Sequence, residues 1–176
     1  ELKGKHPKIL QDPVYGEAAR ELMQNAKKLL QKIIDERLLT ANAVYGFWPA
    51  ISEGDDIVLF ADASKTKEFA RLHMLRQQWS RRGQTIYRSL ADYVAPRNCG
   101  RDDFIGAFVV TTGLGTDQLC AHYDAAQDDY NSIMVKALAD RLAEAFAERL
   151  HQQARQDWGY GGKESLSKDE LIAERY

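Results

Sequence analysis

The sequence predicts an α+β fold rather than a doubly wound one, and three observations carry that reading. Apolar residues recur at helical spacing near both ends of the chain. The aromatic and β-branched runs that suit strands lie between them, and no strand-like run follows Thr112. Strands and helices therefore do not alternate as a parallel sheet requires.

Residues 1–13 are polar, carry Pro7 and Pro13, and read as an entry arm or linker, which leaves 14–176 for the domain itself. Over 17–39, Leu22, Met23, Ala26, Leu29, Leu30, Ile33 and Ile34 line one face of an amphipathic helix. Residues 43–51 and 57–60 have strand composition, and Glu53-Gly54-Asp55-Asp56 between them supplies the turn of a hairpin. Residues 64–80 leave two readings open. Phe69, Leu72 and Leu75 fit a helix, and a strand entering at Arg71 fits as well; Arg82-Gly83 ends the segment.

Residues 89–95 are apolar except for Asp92 and are closed by Pro96 and Gly100. FIGAFVVT, 104–111, is the clearest strand in the chain. Beyond Gly113 and Gly115 the pattern is helical. Over 129–158 it sets Ile133, Met134, Ala137, Leu138, Leu142, Ala145, Phe146 and Leu150 on one face, among alanines that favour helix. A loop at 159–162 follows. Ser167 with Glu170 then matches a capping box opening a last helix, 168–174.

The chain has 176 residues, 44% of them apolar and 28% charged, which suits one domain with a core. Its 24 basic and 26 acidic side chains leave a formal charge of −2. Arg76 with Arg81-Arg82 is the nearest approach to a basic patch, so nucleic acid is disfavoured as a partner. Cys99 and Cys120 lack C-x-x-C spacing, and His73, His122 and His151 show no metal spacing with one another. Two such cysteines suit a reduced, cytoplasmic setting. There is no apolar run of about 18 residues and no basic-then-apolar leader, so no membrane association is expected.

Thr112-Gly113-Leu114-Gly115, after a strand and before a helix, sits where a glycine-rich nucleotide loop would. Gln118 stands in place of the third glycine, and no later strands complete a parallel sheet. The glycines are read as turning a strand into a helix.

SLADYVAP (89–96), DFIGAFVVTTG (103–113), DDYNSIMVKALADRLAEAFAERL (128–150) and WGY…ESLS…LIAERY (158–176) follow one another in the order and spacing of a known family. TANAVYGFWPA (40–50) extends the likeness upstream. The chain resembles the AdoMet-binding reactivation domains of cobalamin-dependent methionine synthase. The resemblance implies a C-shaped single domain with a central twisted antiparallel sheet and long helices. It implies binding of S-adenosylmethionine, presented to cobalamin on a neighbouring domain so that inactive cob(II)alamin is reductively methylated. It also implies flavodoxin or a related reductase as electron donor, zinc only in a distant domain of the parent enzyme, and a module not catalytic alone. The family's main AdoMet motif, R-x-x-x-G-Y, falls beyond Tyr176. The chain is therefore expected to be a C-terminally truncated form of the domain that binds AdoMet weakly or not at all.

The residues assigned to AdoMet through the resemblance are Asp92, Glu144 and Glu174. The ligand's cations and neutral donors explain why carboxylates serve. Read without it, Asp92 is an acid bonding turn amides before Pro96, and the two glutamates are solvated helix residues. Asp92 and Glu144 are expected to face one groove; with no ligand cation between them, repulsion would raise one carboxyl's pKa. The rival class is a docking module for flavodoxin or the cobalamin domain, without AdoMet.

Overall fold

The computed structural model describes residues 4–80, 82–160 and 170. The expected helix over 168–174 and its capping Ser167 lie outside them, Glu170 excepted. Along the chain run a 3-10 turn (Lys8–Gln11), α1 (Gly16–Asp35), β1 (Thr40–Glu53), β2 (Asp56–Phe60) and β3 (Glu68–His73). A second 3-10 turn (Leu90–Tyr93), β4 (Asp103–Leu114), α2 (Thr116–Ala125) and α3 (Asp129–Trp158) complete the order. The strands form one antiparallel sheet in the order β3-β2-β1-β4, the kind of sheet that the resemblance implies. Two compact units result, one from residues 1–43 with 109–176 and one from 44–108.

In the first unit, α1 stops at Asp35, four residues short of the expected end. Arg37 adopts a left-handed conformation (φ 53°). The Leu38 amide then bonds Ile33 O at 3.0 Å and the Arg37 amide bonds Ile34 O at 3.3 Å. This closes the helix in a Schellman motif without the usual glycine. Leu38 and Leu39 pack instead on the core formed by Leu29 and Ile33 of α1, Leu119, Cys120 and Tyr123 of α2, and Met134 and Val135 of α3. Asp128 caps α3 by accepting from the Asn131 amide at 3.1 Å, which supplies one of the partners a helix start lacks.

The expected apolar face of α3 needs correcting. Ile133 is 67% exposed, whereas Val135 is fully buried. The buried stripe runs through Ser132, Met134, Val135, Ala139 and Leu150. So many alanines and apolar residues lie along α3 that several rotations satisfy the period, and packing against α2 selects one.

Gly115 begins α2 with φ 101°, and a Cβ there would stand 2.6 Å from Leu38 O. Its glycine thus serves a turn and a close backbone approach. Just before it, the buried Thr112 hydroxyl donates to Ala139 O at 2.6 Å, tying the end of β4 to α3.

In the second unit, β1 and β2 pair as Ala50↔Leu59, Ile51↔Val58 and Glu53↔Asp56 across the turn read from sequence, with Gly54 at φ 62°. The undecided segment 64–80 supplies a strand: β3 pairs with β2 as Ile57↔Leu72 and Val58↔Arg71. Only a strand satisfies the ladder groups along that side of β2, and this outweighs the helical spacing of Phe69, Leu72 and Leu75. Phe69 and Leu75 remain exposed. β2 is buried on both faces. Ile57 and Leu59 join Ala50, Ala91 and Val94, while Val58 and Phe60 join Ile51. That explains its uninterrupted apolar run.

Candidate functional site

Asp92 sits on the 3-10 turn Leu90–Tyr93, a turn held by its own sequence. Ser89 Oγ accepts from the Ala91 amide at 3.3 Å, and Asp92 Oδ2 accepts from the Ser89 amide at 2.9 Å. Ala91 and Val94 anchor the turn in the core. Beyond it, Ser52 binds the same stretch, its hydroxyl donating to Val94 O at 2.8 Å and its amide to Ala95 O at 3.0 Å. The Ala95 amide donates to Asp103 Oδ2 at 2.9 Å. The local amide bond expected of Asp92 is therefore present, and it occupies one side of one oxygen.

The rest of the carboxylate meets Arg76. Nη1 donates to Oδ2 at 2.8 Å and Nη2 to Oδ1 at 2.7 Å, the parallel two-point geometry that makes such pairs strong. Arg76 also grips Asp55 Oδ1, through Nε at 2.9 Å and Nη2 at 2.6 Å, and donates from Nη1 to Tyr87 O at 2.6 Å. The Arg76 guanidinium, followed by the Ser89 amide, holds the Asp92 carboxyl well below the usual range, at about 2. The expectation that one carboxyl is raised is thus reversed at Asp92, because an arginine of the chain itself pairs with it.

Glu144 lies on α3 with its carboxylate exposed, 2.8 Å from Arg141 Nη1 one turn before it. Arg141 also meets Asp140 at 2.6 Å. Asp92 belongs to the 44–108 unit and Glu144 to the other. Glu174 lies outside the described residues. His73 pairs with Asp56 through Nδ1 at 2.8 Å, and His122 lines an open cleft of the helical unit with Lys32, Leu38 and Gly115. No group of three or more potential metal ligands occurs among the described residues.

Sequence reasoning noted Arg76 only as part of a thin basic patch and Asp55 only as turn chemistry. No periodicity links residues 55, 76 and 92. The only local signal was an acid and an arginine placed in otherwise apolar or polar neutral surroundings.

The family model for the activation domain of vitamin B12-dependent methionine synthase matches residues 1–176. Among solved structures, the MetH reactivation domain bound to AdoHcy is 49% identical, with a TM-score of 0.90. That match covers 99% of this chain and 54% of the relative, so the chain spans about half the relative's length. The chain belongs to the activation-domain family of vitamin B12-dependent methionine synthase.

Proposed function

We propose that this chain binds S-adenosylmethionine as the activation domain, 14–176, of a cobalamin-dependent methionine synthase, with residues 1–13 as its entry arm. It presents AdoMet so that inactive cob(II)alamin is reductively methylated to methylcobalamin. The observation that carries this reading is AdoHcy bound to a relative 49% identical over nearly the whole chain. AdoHcy is what remains of AdoMet once its methyl group has gone. Cobalamin on a neighbouring domain would supply the nucleophile, given one electron from flavodoxin or a related reductase. Zinc belongs to a distant domain, and the enzyme works in the cytoplasm. No described helix is long and apolar enough to cross a membrane.

The chemistry needs no general base here. The attacking centre is strongly nucleophilic and the sulfonium a good leaving group, so this chain contributes binding and orientation. Asp92, Glu144 and Glu174 are the proposed AdoMet contacts. Asp92 is ionised at neutral pH and 40% exposed, which fits an acceptor open to a ligand.

The test uses the full-length enzyme with its cobalamin in the Co(II) state. Addition of AdoMet and a one-electron donor should convert its visible spectrum to that of methylcobalamin, with one AdoHcy formed per cobalamin. Conversion that proceeds equally without AdoMet would overturn the proposal.

A further inference from the structure

Arg76 has more to do at this site than balance a charge. A guanidinium carries five N–H donors. Here all five are engaged: Nε and one donor of Nη2 on Asp55, the other of Nη2 on Asp92, and the two of Nη1 on Asp92 and Tyr87 O. None is left for a ligand. Arg76 is accordingly a post that fixes its neighbours, not a grip on a substrate carboxylate.

The consequence falls on Asp92. An ionised carboxylate offers about four acceptor positions. Oδ2 accepts from Arg76 Nη1 and the Ser89 amide, and Oδ1 accepts from Arg76 Nη2. The described residues thus fill three positions, and the remaining one lies on Oδ1. With the plane of the carboxylate set by the two-point contact, that position points in one direction. Arg88 lies close enough to act on the same carboxylate through space, while its Nη1 donates to Tyr93 Oη at 3.0 Å. Because Arg76 is shared between Asp55 and Asp92, its charge is already balanced, and the open position on Oδ1 can accept from any ligand N–H or O–H donor.

Resting on the proposed AdoMet site, we infer that Arg76, anchored by Asp55 in the β1–β2 turn, is a positioning residue that presents Asp92 Oδ1 to one hydrogen-bond donor of the bound ligand.

Calorimetric titration of AdoHcy into the full-length enzyme tests this with R76Q, D92N and the double variant, after thermal melts show each to be folded. D92N should weaken binding about tenfold, the scale of one hydrogen bond to a charged group. R76Q should weaken it similarly in the wild-type background and add almost nothing to D92N, since Arg76 acts through Asp92. A role in general folding would instead weaken both backgrounds alike. R76K, which keeps the charge and loses the fork, should recover only part of the affinity. Should R76Q fail to fold, D55A leaves the Arg76–Asp92 contact in place and is expected to weaken binding about threefold, again only when Asp92 is present. Unchanged or tighter binding by the Arg76 and Asp55 variants, with D92N weakened, overturns the inference and leaves the AdoMet site standing. Unchanged binding by D92N removes Asp92 from the site, and the inference with it.

Discussion

Arg76 and Asp92, sixteen residues apart in sequence, meet through two parallel hydrogen bonds of 2.7 and 2.8 Å, and the same guanidinium reaches back to Asp55. One arginine thereby connects the β1–β2 turn to the 3-10 turn that carries the proposed ligand carboxylate. Several consequences are open to measurement.

The pH dependence of stability has a definite sign at Asp92. Its carboxyl is held at about 2 in the folded chain, below an unfolded value of about 3.9. The folded state therefore favours the ionised form. The resulting stability is fully present above about pH 4 and lost as pH falls through about 2. The gap in melting temperature between wild type and D92N should be constant from about pH 7 to 5 and close by about pH 2. Because the pair is partly exposed, added salt should narrow the gap at neutral pH as well.

Two neighbours on α3 should respond in opposite ways to truncation. Val135 is fully buried in the helical core and Ile133 is 67% exposed. V135A should cost about 2 kcal/mol, from lost methyl burial and a residual cavity. I133A should stay within about 0.5 kcal/mol of wild type. Denaturant midpoints with unchanged slopes would check both.

Two backbone positions predict changes of opposite sign. G115A puts a Cβ 2.6 Å from Leu38 O at a φ of 101°, and should destabilise by about 2 kcal/mol or more. R37G relieves a left-handed arginine at the end of α1, and should stabilise by about 0.5 to 1 kcal/mol. Thermal unfolding of the two variants beside wild type reads both effects.

Glu144 separates ligand contact from helix solvation. If it binds AdoMet as proposed, E144Q should weaken AdoHcy binding about tenfold while barely changing stability, since its described partner is the exposed Arg141. A crystal structure with AdoHcy should then place the Glu144 carboxylate within about 3 Å of the ligand. Unchanged affinity in E144Q would return Glu144 to the role of a solvated helix residue.

Much of this chain is determined by short-range pattern. The amphipathic period over α1, the uninterrupted apolar run of β2, the Gly54 turn and the bond of Asp92 to a turn amide are set by residues within a few positions of one another. Each was legible because the interactions that favour it are local. The likeness that singled out Asp92, Glu144 and Glu174 was likewise carried by contiguous blocks. Tertiary structure decided the rest. Within 64–80, Glu68–His73 becomes a strand because β2 offers a ladder to it, and α3 turns Val135 inward and Ile133 outward because α2 covers one of several equally apolar faces. Arg76 becomes the partner of Asp92 because folding of the β1–β2 turn and the 3-10 turn brings Asp55 and Asp92 to a single guanidinium. Long-range charge pairing leaves no period in a sequence, since its geometry exists only once the chain has closed on itself.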